Sequence, residues 1–173
     1  LVLMAPDGFA GPGREYGKAP KVPFAARLLP FVLPDRLLRP MLGRAYGDPS
    51  ALSEEVYARY RDMLLAPGVR RAILDRVGQS VLPEPEPLLR RIRAPALLVW
   101  GERDALVPFS NAADYAATLP DSATVSFPEL GHVPHEEAPA RSLGPVRAFL
   151  ERRDKEPAVP ASAERPSAGP ETP

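Results

Sequence analysis

The stretch Ala96-Leu97-Leu98-Val99-Trp100-Gly101-Glu102-Arg103-Asp104 reads as a buried strand that delivers a carboxylate. A second stretch, Ala123-Thr124-Val125-Ser126-Phe127 followed by Pro128-Glu129-Leu130-Gly131-His132, reads as a strand that delivers an imidazole. Helical spacing falls between them near 109–119 and after them near 136–151. Strand, helix, strand, helix in that order predicts an α/β fold with parallel pairing and right-handed crossovers. Both strands read as apolar runs, as expected where helices cover both faces of a sheet.

Working outward, Leu1-Val2-Leu3-Met4-Ala5 is another apolar run, closed by the turn-like Pro6-Asp7-Gly8. Gly11-Pro12-Gly13 through Val22-Pro23 is expected to be irregular. From there to about Gly78 the pattern is helical. Leu28, Leu29, Phe31 and Val32 form a cluster broken by Pro30 and Pro34, and Leu37, Leu38, Met41 and Leu42 follow at helical spacing. Ser53 has the form of an N-cap, with Glu54 and Glu55 in the first turn and Val56, Tyr57, Tyr60, Met63 and Leu64 as one apolar stripe. Pro67 opens a further helix with Val69, Ala72, Ile73 and Val77 on its inner face and a stop at Gly78. The proline-rich run from Leu82 to Pro87 reads as a linker into a short helix around Leu88 to Ile92. After Arg152, Pro157, Pro160, Pro166, Pro170 and Pro173 recur among Ala, Ser, Glu and Gly, a composition expected to be disordered.

Bulk numbers narrow the function classes. The chain has 173 residues, 45% of them apolar, enough for an ordinary globular core. A formal net charge of +0 argues against a nucleic-acid partner, which calls for a surplus of Lys and Arg. Arg70-Arg71 and Arg90-Arg91-Ile92-Arg93 sit beside acids and read as solvated helix faces. With Cys 0 there is no disulfide framework and no thiol nucleophile, and a cytoplasmic address is expected. His132 and His135 lie three apart on a loop with no evident third ligand, so no metal site and no cofactor are expected. No run approaches the roughly 20 apolar residues of a membrane-spanning helix.

In an open parallel sheet, catalytic groups collect in the loops that leave the carboxyl ends of strands. Asp104 and His132 both fall there, one strand apart, with Gly131 letting the backbone turn beside the ring. An acid and then a base in that order form the second half of a nucleophile-acid-base relay. The carboxylate would fix the tautomer of His132 and stabilise its charged form. No nucleophile elbow of the form Gly-x-Ser-x-Gly occurs in the chain. Gly78-Gln79-Ser80-Val81-Leu82 follows a helix and runs into prolines, the wrong context for one. Leu1 stands where a chain would begin with Met, and the reading expects a fragment that is inactive alone and prone to aggregate through an exposed sheet edge. Asp7 reads as a turn residue, Trp100 as strand core, and Tyr57 and Tyr60 as packing residues. His135 reads as a loop residue, and Glu136 and Glu137 as first-turn carboxylates of the last helix.

Leu98 through Pro108, Gly131-His132-Val133-Pro134-His135-Glu136-Glu137-Ala138-Pro139 and the lead-in Arg91-Ile92-Arg93-Ala94-Pro95 resemble the last two catalytic loops of the α/β-hydrolase family. The resemblance covers nearly all of residues 1 to 151. It implies Asp104 as triad acid, His132 as triad base, and residues 1–8 as the core strand after an absent nucleophile region. It further implies a helical cap over 9–90 and a C-terminal α/β core over 91–152, beyond which the composition leaves a tail over 153–173 expected to be disordered. Ala45-Tyr46-Gly47-Asp48-Pro49-Ser50 and the following helix are similar to caps of the esterase and monoacylglycerol-lipase-like branch. The fold expected is therefore a partial α/β-hydrolase with about three parallel strands. The activity implied is hydrolysis of a small-molecule ester, with Leu106, Val107 and Val133 lining the pocket. Two alternatives stand beside it: an Asp-nucleophile enzyme (haloalkane dehalogenase or epoxide hydrolase, the latter using cap tyrosines), and a non-catalytic truncated protein.

Overall fold

A computed structural model describes residues 1–11 and 15–155. Part of the glycine- and proline-rich connection (12–14) and most of the expected disordered tail (156–173) lie outside the described residues.

Three strands form one parallel sheet in the order β1 (Val2–Met4), β2 (Ala96–Gly101), β3 (Ser122–Phe127). Leu3 pairs with Leu98 on one side of β2, and Leu98 with Thr124 on the other. All six residues of β2 are buried, because a central strand covered on both faces leaves no side for a polar residue. Alternation divides them. Ala96, Leu98 and Trp100 pack with Ala5, Val107, Ala112, Tyr115 and Leu119, mostly on or around the helix α5 (Asn111–Thr118). Leu97 and Val99 pack with Phe127, Leu130 and Phe149. Full burial of such a side chain contributes about 1.5–3 kcal/mol, so β2 is the anchor of the fold. Strand β3 departs from the expected apolar run. Ala123 and Thr124 are exposed, since β3 is an edge among the described strands and its Ser and Thr side chains tolerate water.

Between β1 and β2 the described residues make four α-helices: α1 (Asp35–Gly43), α2 (Glu54–Leu65), α3 (Val69–Gln79) and the short α4 (Glu86–Leu89). Ser53 caps α2 as its sequence requires, its Oγ accepting from the Val56 amide at 3.2 Å. The α3 helix passes through Gly78 to Gln79, and Ser80 Oγ closes it by donating to the Arg76 carbonyl at 2.8 Å. The α4 helix begins earlier than expected because Pro87, lacking an N–H, fits its first turn. This layer has its own core of Leu38, Tyr46, Leu52 and Tyr57, joined by Leu33, Leu42, Val56, Leu64 and, from across the molecule, Val133.

After β3 the expected single helix is two, α6 (Pro134–Glu137) and α7 (Pro139–Lys155). Ala138 between them has φ −144° and ψ 69°, as a residue preceding proline is pushed out of the helical region. Helix α7 crosses the boundary expected near Arg152.

Candidate active site

Asp104 and His132 leave the carboxyl ends of adjacent strands and meet. His132 Nδ1 lies 2.8 Å from Asp104 Oδ2. The other carboxylate oxygen, Oδ1, accepts from the backbone amides of Leu106 and Val107, both at 2.8 Å. An aspartate folded back on its own loop in this way has a fixed side-chain direction. Oδ2 is left to face the ring, and because a carboxylate only accepts, the proton sits on Nδ1. The Asp104 side chain is fully buried while that of His132 is 28% exposed, so the pair has an inner anchor and an accessible outer ring.

That geometry shifts the ring's titration. The hydrogen bond to Asp104 raises the pKa of His132 above its ordinary value; partial burial works against it, and the charges of Asp104 and Asp7 add to the rise. Asp7, expected as a turn residue, thus adds the smallest part of that rise through its charge.

The loop that carries His132 is held by a part of the chain far away in sequence. The His132 amide donates to the Ala45 carbonyl at 2.7 Å. Glu137 accepts from two backbone amides at once, Gly131 at 2.6 Å on Oε1 and Gly47 at 2.8 Å on Oε2. Glu136 accepts from the hydroxyls of Tyr46 (2.9 Å) and Tyr60 (2.8 Å) and pairs with Arg59 at 3.2 Å. Burial first, and then the Glu136 carboxylate, push both tyrosine pKa values up. Gly47 and Gly131 are in backbone contact: a Cβ on Gly131 would lie 2.5 Å from the Gly47 amide nitrogen and 2.7 Å from the Ala45 carbonyl oxygen.

Sequence reading placed Glu136 and Glu137 in the first turn of the last helix as partners of its dipole. They do stand in the first turn of α6, but their carboxylates are spent on the segment Ala45–Gly47 and on α2. The only sequence signal of this was the glycine of Ala45-Tyr46-Gly47, which lies in a stretch already singled out. Tyr57 donates instead to Asp35 at 3.0 Å, so Tyr57 and Tyr60 serve different carboxylates and do not form a pair.

Of the apolar residues expected to line a pocket, Leu106 is 47% exposed, Val133 is half-buried against the helical layer, and Val107 is buried in the sheet core. Trp100 Nε1 donates to the Val107 carbonyl at 3.2 Å, which ties the loop after Asp104 to β2. Among the described residues no group of three or more His, Cys, Asp or Glu could hold a metal ion, and no helix is long and apolar enough to cross a membrane.

The sequence profile of the alpha/beta hydrolase family matches residues 1–143. An uncharacterized hydrolase, YugF, of Bacillus subtilis (strain 168) is 36% identical over 96 residues, which are 53% of this chain and 34% of that protein. The pimeloyl-[acyl-carrier protein] methyl ester esterase of Chromobacterium violaceum is 32% identical over 100 residues, 56% of this chain and 39% of the esterase. Among solved structures, a thermophilic esterase from Thermogutta terrifontis superposes with a TM-score of 0.58 at 27% identity, covering 73% of this chain and 47% of the esterase. The stretches matched therefore span between about a third and a half of each of these proteins.

Proposed function

The chain belongs to the alpha/beta hydrolase family, and on that premise we propose that it supplies the acid, the base and the cap of an enzyme that hydrolyses carboxylic esters. The observation that carries this reading is the 2.8 Å contact between His132 Nδ1 and a buried Asp104 whose second oxygen is fixed by two amides. With Nδ1 protonated and bound, Nε2 is the nitrogen with a free lone pair. It takes the proton of an attacking hydroxyl and later gives it to the leaving alcohol, while Asp104 stabilises the charged ring in between. Such general acid-base transfer contributes typically about 10²–10⁴-fold in rate.

The nucleophile is assigned to the part of the matched proteins' length that this chain does not span. A serine there would form an acyl-enzyme with the substrate, which water activated by the same Nε2 would then cleave. Two of the similar proteins are esterases by name, which supports an ester as the bond attacked. Residues 9–90 are read as the cap, and the accessible Leu106 and half-buried Val133 as apolar wall beside the base.

The test uses a polypeptide that contains this chain together with a nucleophile-bearing segment. A fluorophosphonate probe should label one serine outside residues 1–173, and p-nitrophenyl esters should be turned over with rates that vanish in His132→Ala. Retention of most of the rate in that variant would overturn the assignment of the base, and labelling of an aspartate by an alkyl halide or epoxide would replace ester hydrolysis with alkyl-enzyme chemistry.

A further inference from the structure

We infer that Glu137 is a positioning residue for His132, holding the base loop against the cap segment Ala45–Gly47 so that cap and base move as one unit. The inference rests on the reading of His132 as the base, and it adds a coupling between the cap and that base.

The argument begins with what a loop residue needs in order to act as a base. The ring of His132 is fixed by Asp104, but a ring contact alone leaves the backbone free to swing about it. The backbone is held on two sides: on the core side the Leu130 carbonyl accepts from the Arg103 amide, and on the cap side the His132 amide donates to the Ala45 carbonyl and the preceding Gly131 amide donates to Glu137. Glu137 in turn accepts from the cap's Gly47. Two amides, from Gly47 and Gly131 in distant parts of the sequence, thus converge on the two oxygens of one side chain.

A carboxylate is the side chain suited to this place. It presents an acceptor on each oxygen, whereas an amide of the same shape presents one acceptor and one donor and would set N–H against N–H at the second amide. The backbones also meet without side chains between them, since a Cβ on Gly131 would strike Gly47 and Ala45. Neighbouring Glu136 repeats the direction of attachment. It accepts from Tyr46 of the same segment and from Tyr60 on α2, and pairs with Arg59. Both acids of the Glu136-Glu137 pair therefore point at the cap. The base loop is anchored to the core through Leu130 and Asp104, and from Gly131 onward its backbone is tied to the cap segment, so a displacement of Ala45–Gly47 shifts Nε2.

Glu137→Ala and Glu137→Gln are compared with Ser53→Ala, which loses the α2 cap but touches neither the base loop nor Glu137, in a polypeptide that also contains the nucleophile segment. Misplacing a reacting group by about 1 Å can cost roughly 100-fold. The expected result is a fall in kcat of about 10- to 100-fold in Glu137→Ala and a smaller fall in Glu137→Gln. KM should stay within about twofold, and the downfield proton resonance of His132 Nδ1 should shift or broaden. Ser53→Ala should leave kcat and that resonance at parent values. Parent kcat and an unmoved resonance in Glu137→Gln, or changes that Ser53→Ala reproduces, would overturn the positioning role. If Glu137→Ala does not fold, Glu137→Gln decides. Failure of Asp104→Asn and His132→Ala to lower activity would instead overturn the underlying reading, which keeps the two failures apart.

Discussion

Replacing Asp104 with asparagine tests the chemistry of the pair with almost no change of shape. In the parent, Oδ1 accepts from the amides of Leu106 and Val107 and Oδ2 faces His132. Asparagine must choose which of these places receives its oxygen. If its NH₂ faced the loop, two backbone donors would lose their acceptor, at about 1 kcal/mol each in this partly exposed setting. That is roughly a 30-fold preference for the oxygen to face the loop, using the ratio of about 1.4 kcal/mol per tenfold. The NH₂ then points at His132 Nδ1, which must become the acceptor, and the ring proton moves to Nε2. The nitrogen that should take the nucleophile's proton now carries one. A wrong-tautomer change of this kind costs about 10⁴ in kcat, or about 5.5 kcal/mol of transition-state stabilisation. The assays are ester turnover by a polypeptide that includes the nucleophile segment, and ¹⁵N spectra of the labelled imidazole. A variant that keeps more than a tenth of the parent rate, or spectra that leave the proton on Nδ1, would refute the reasoning.

Gly131→Ala should destabilise by about 1–3 kcal/mol, read from urea midpoints, because the new Cβ meets backbone that cannot swing aside; an unchanged midpoint would mean that the Ala45–Gly47 segment and the His132 loop are not in contact in solution. Ser53→Ala should cost about 1 kcal/mol through loss of the bond to the Val56 amide, and a stability within error of the parent would contradict the cap geometry. Because the folded pKa of His132 is raised, its charged form contributes stability in full below the unfolded value of about 6.5, and that contribution is lost as pH rises through the folded value. The gap in urea midpoint between the parent and His132→Asn should accordingly be widest near pH 5–6 and narrow above; a gap that widens with pH would have the wrong sign.

Much of the sheet and of the Asp104–His132 contact is legible in the sequence because both depend on local patterns. An apolar run such as Ala96 to Trp100 reports its own burial, and Asp104 and His132 follow their strands directly. Ser53 before two glutamates reports a helix start in the same local way. Glu136 and Glu137 are only half legible for the opposite reason. Their position in a first turn is visible in the sequence, but the hydroxyls of Tyr60 and Tyr46 lie 76 and 90 residues from Glu136, and the Gly47 amide lies 90 residues from Glu137. The break at Ala138 was in principle legible from Pro139, and the apolar periodicity across it concealed the interruption. Strand β3 reads as a core strand from its apolar residues, whereas its exposure follows from its place at the edge of the described strands, where its Ser and Thr side chains tolerate water.

The order of strands also bears on how the chain acquires this shape. Joining β2 to β3 closes the span from Leu98 to Thr124, whereas joining β1 to β2 closes the span from Leu3 to Leu98. For flexible chains the longer closure costs roughly 1 kcal/mol more in entropy. Loop closure alone therefore favours joining β2 to β3 over joining β1 to β2. The intervening helices change that arithmetic. Once Leu38, Tyr46, Leu52 and Tyr57 have packed together, part of the long span is a folded body, and the search left to β1 is shorter than its sequence separation implies.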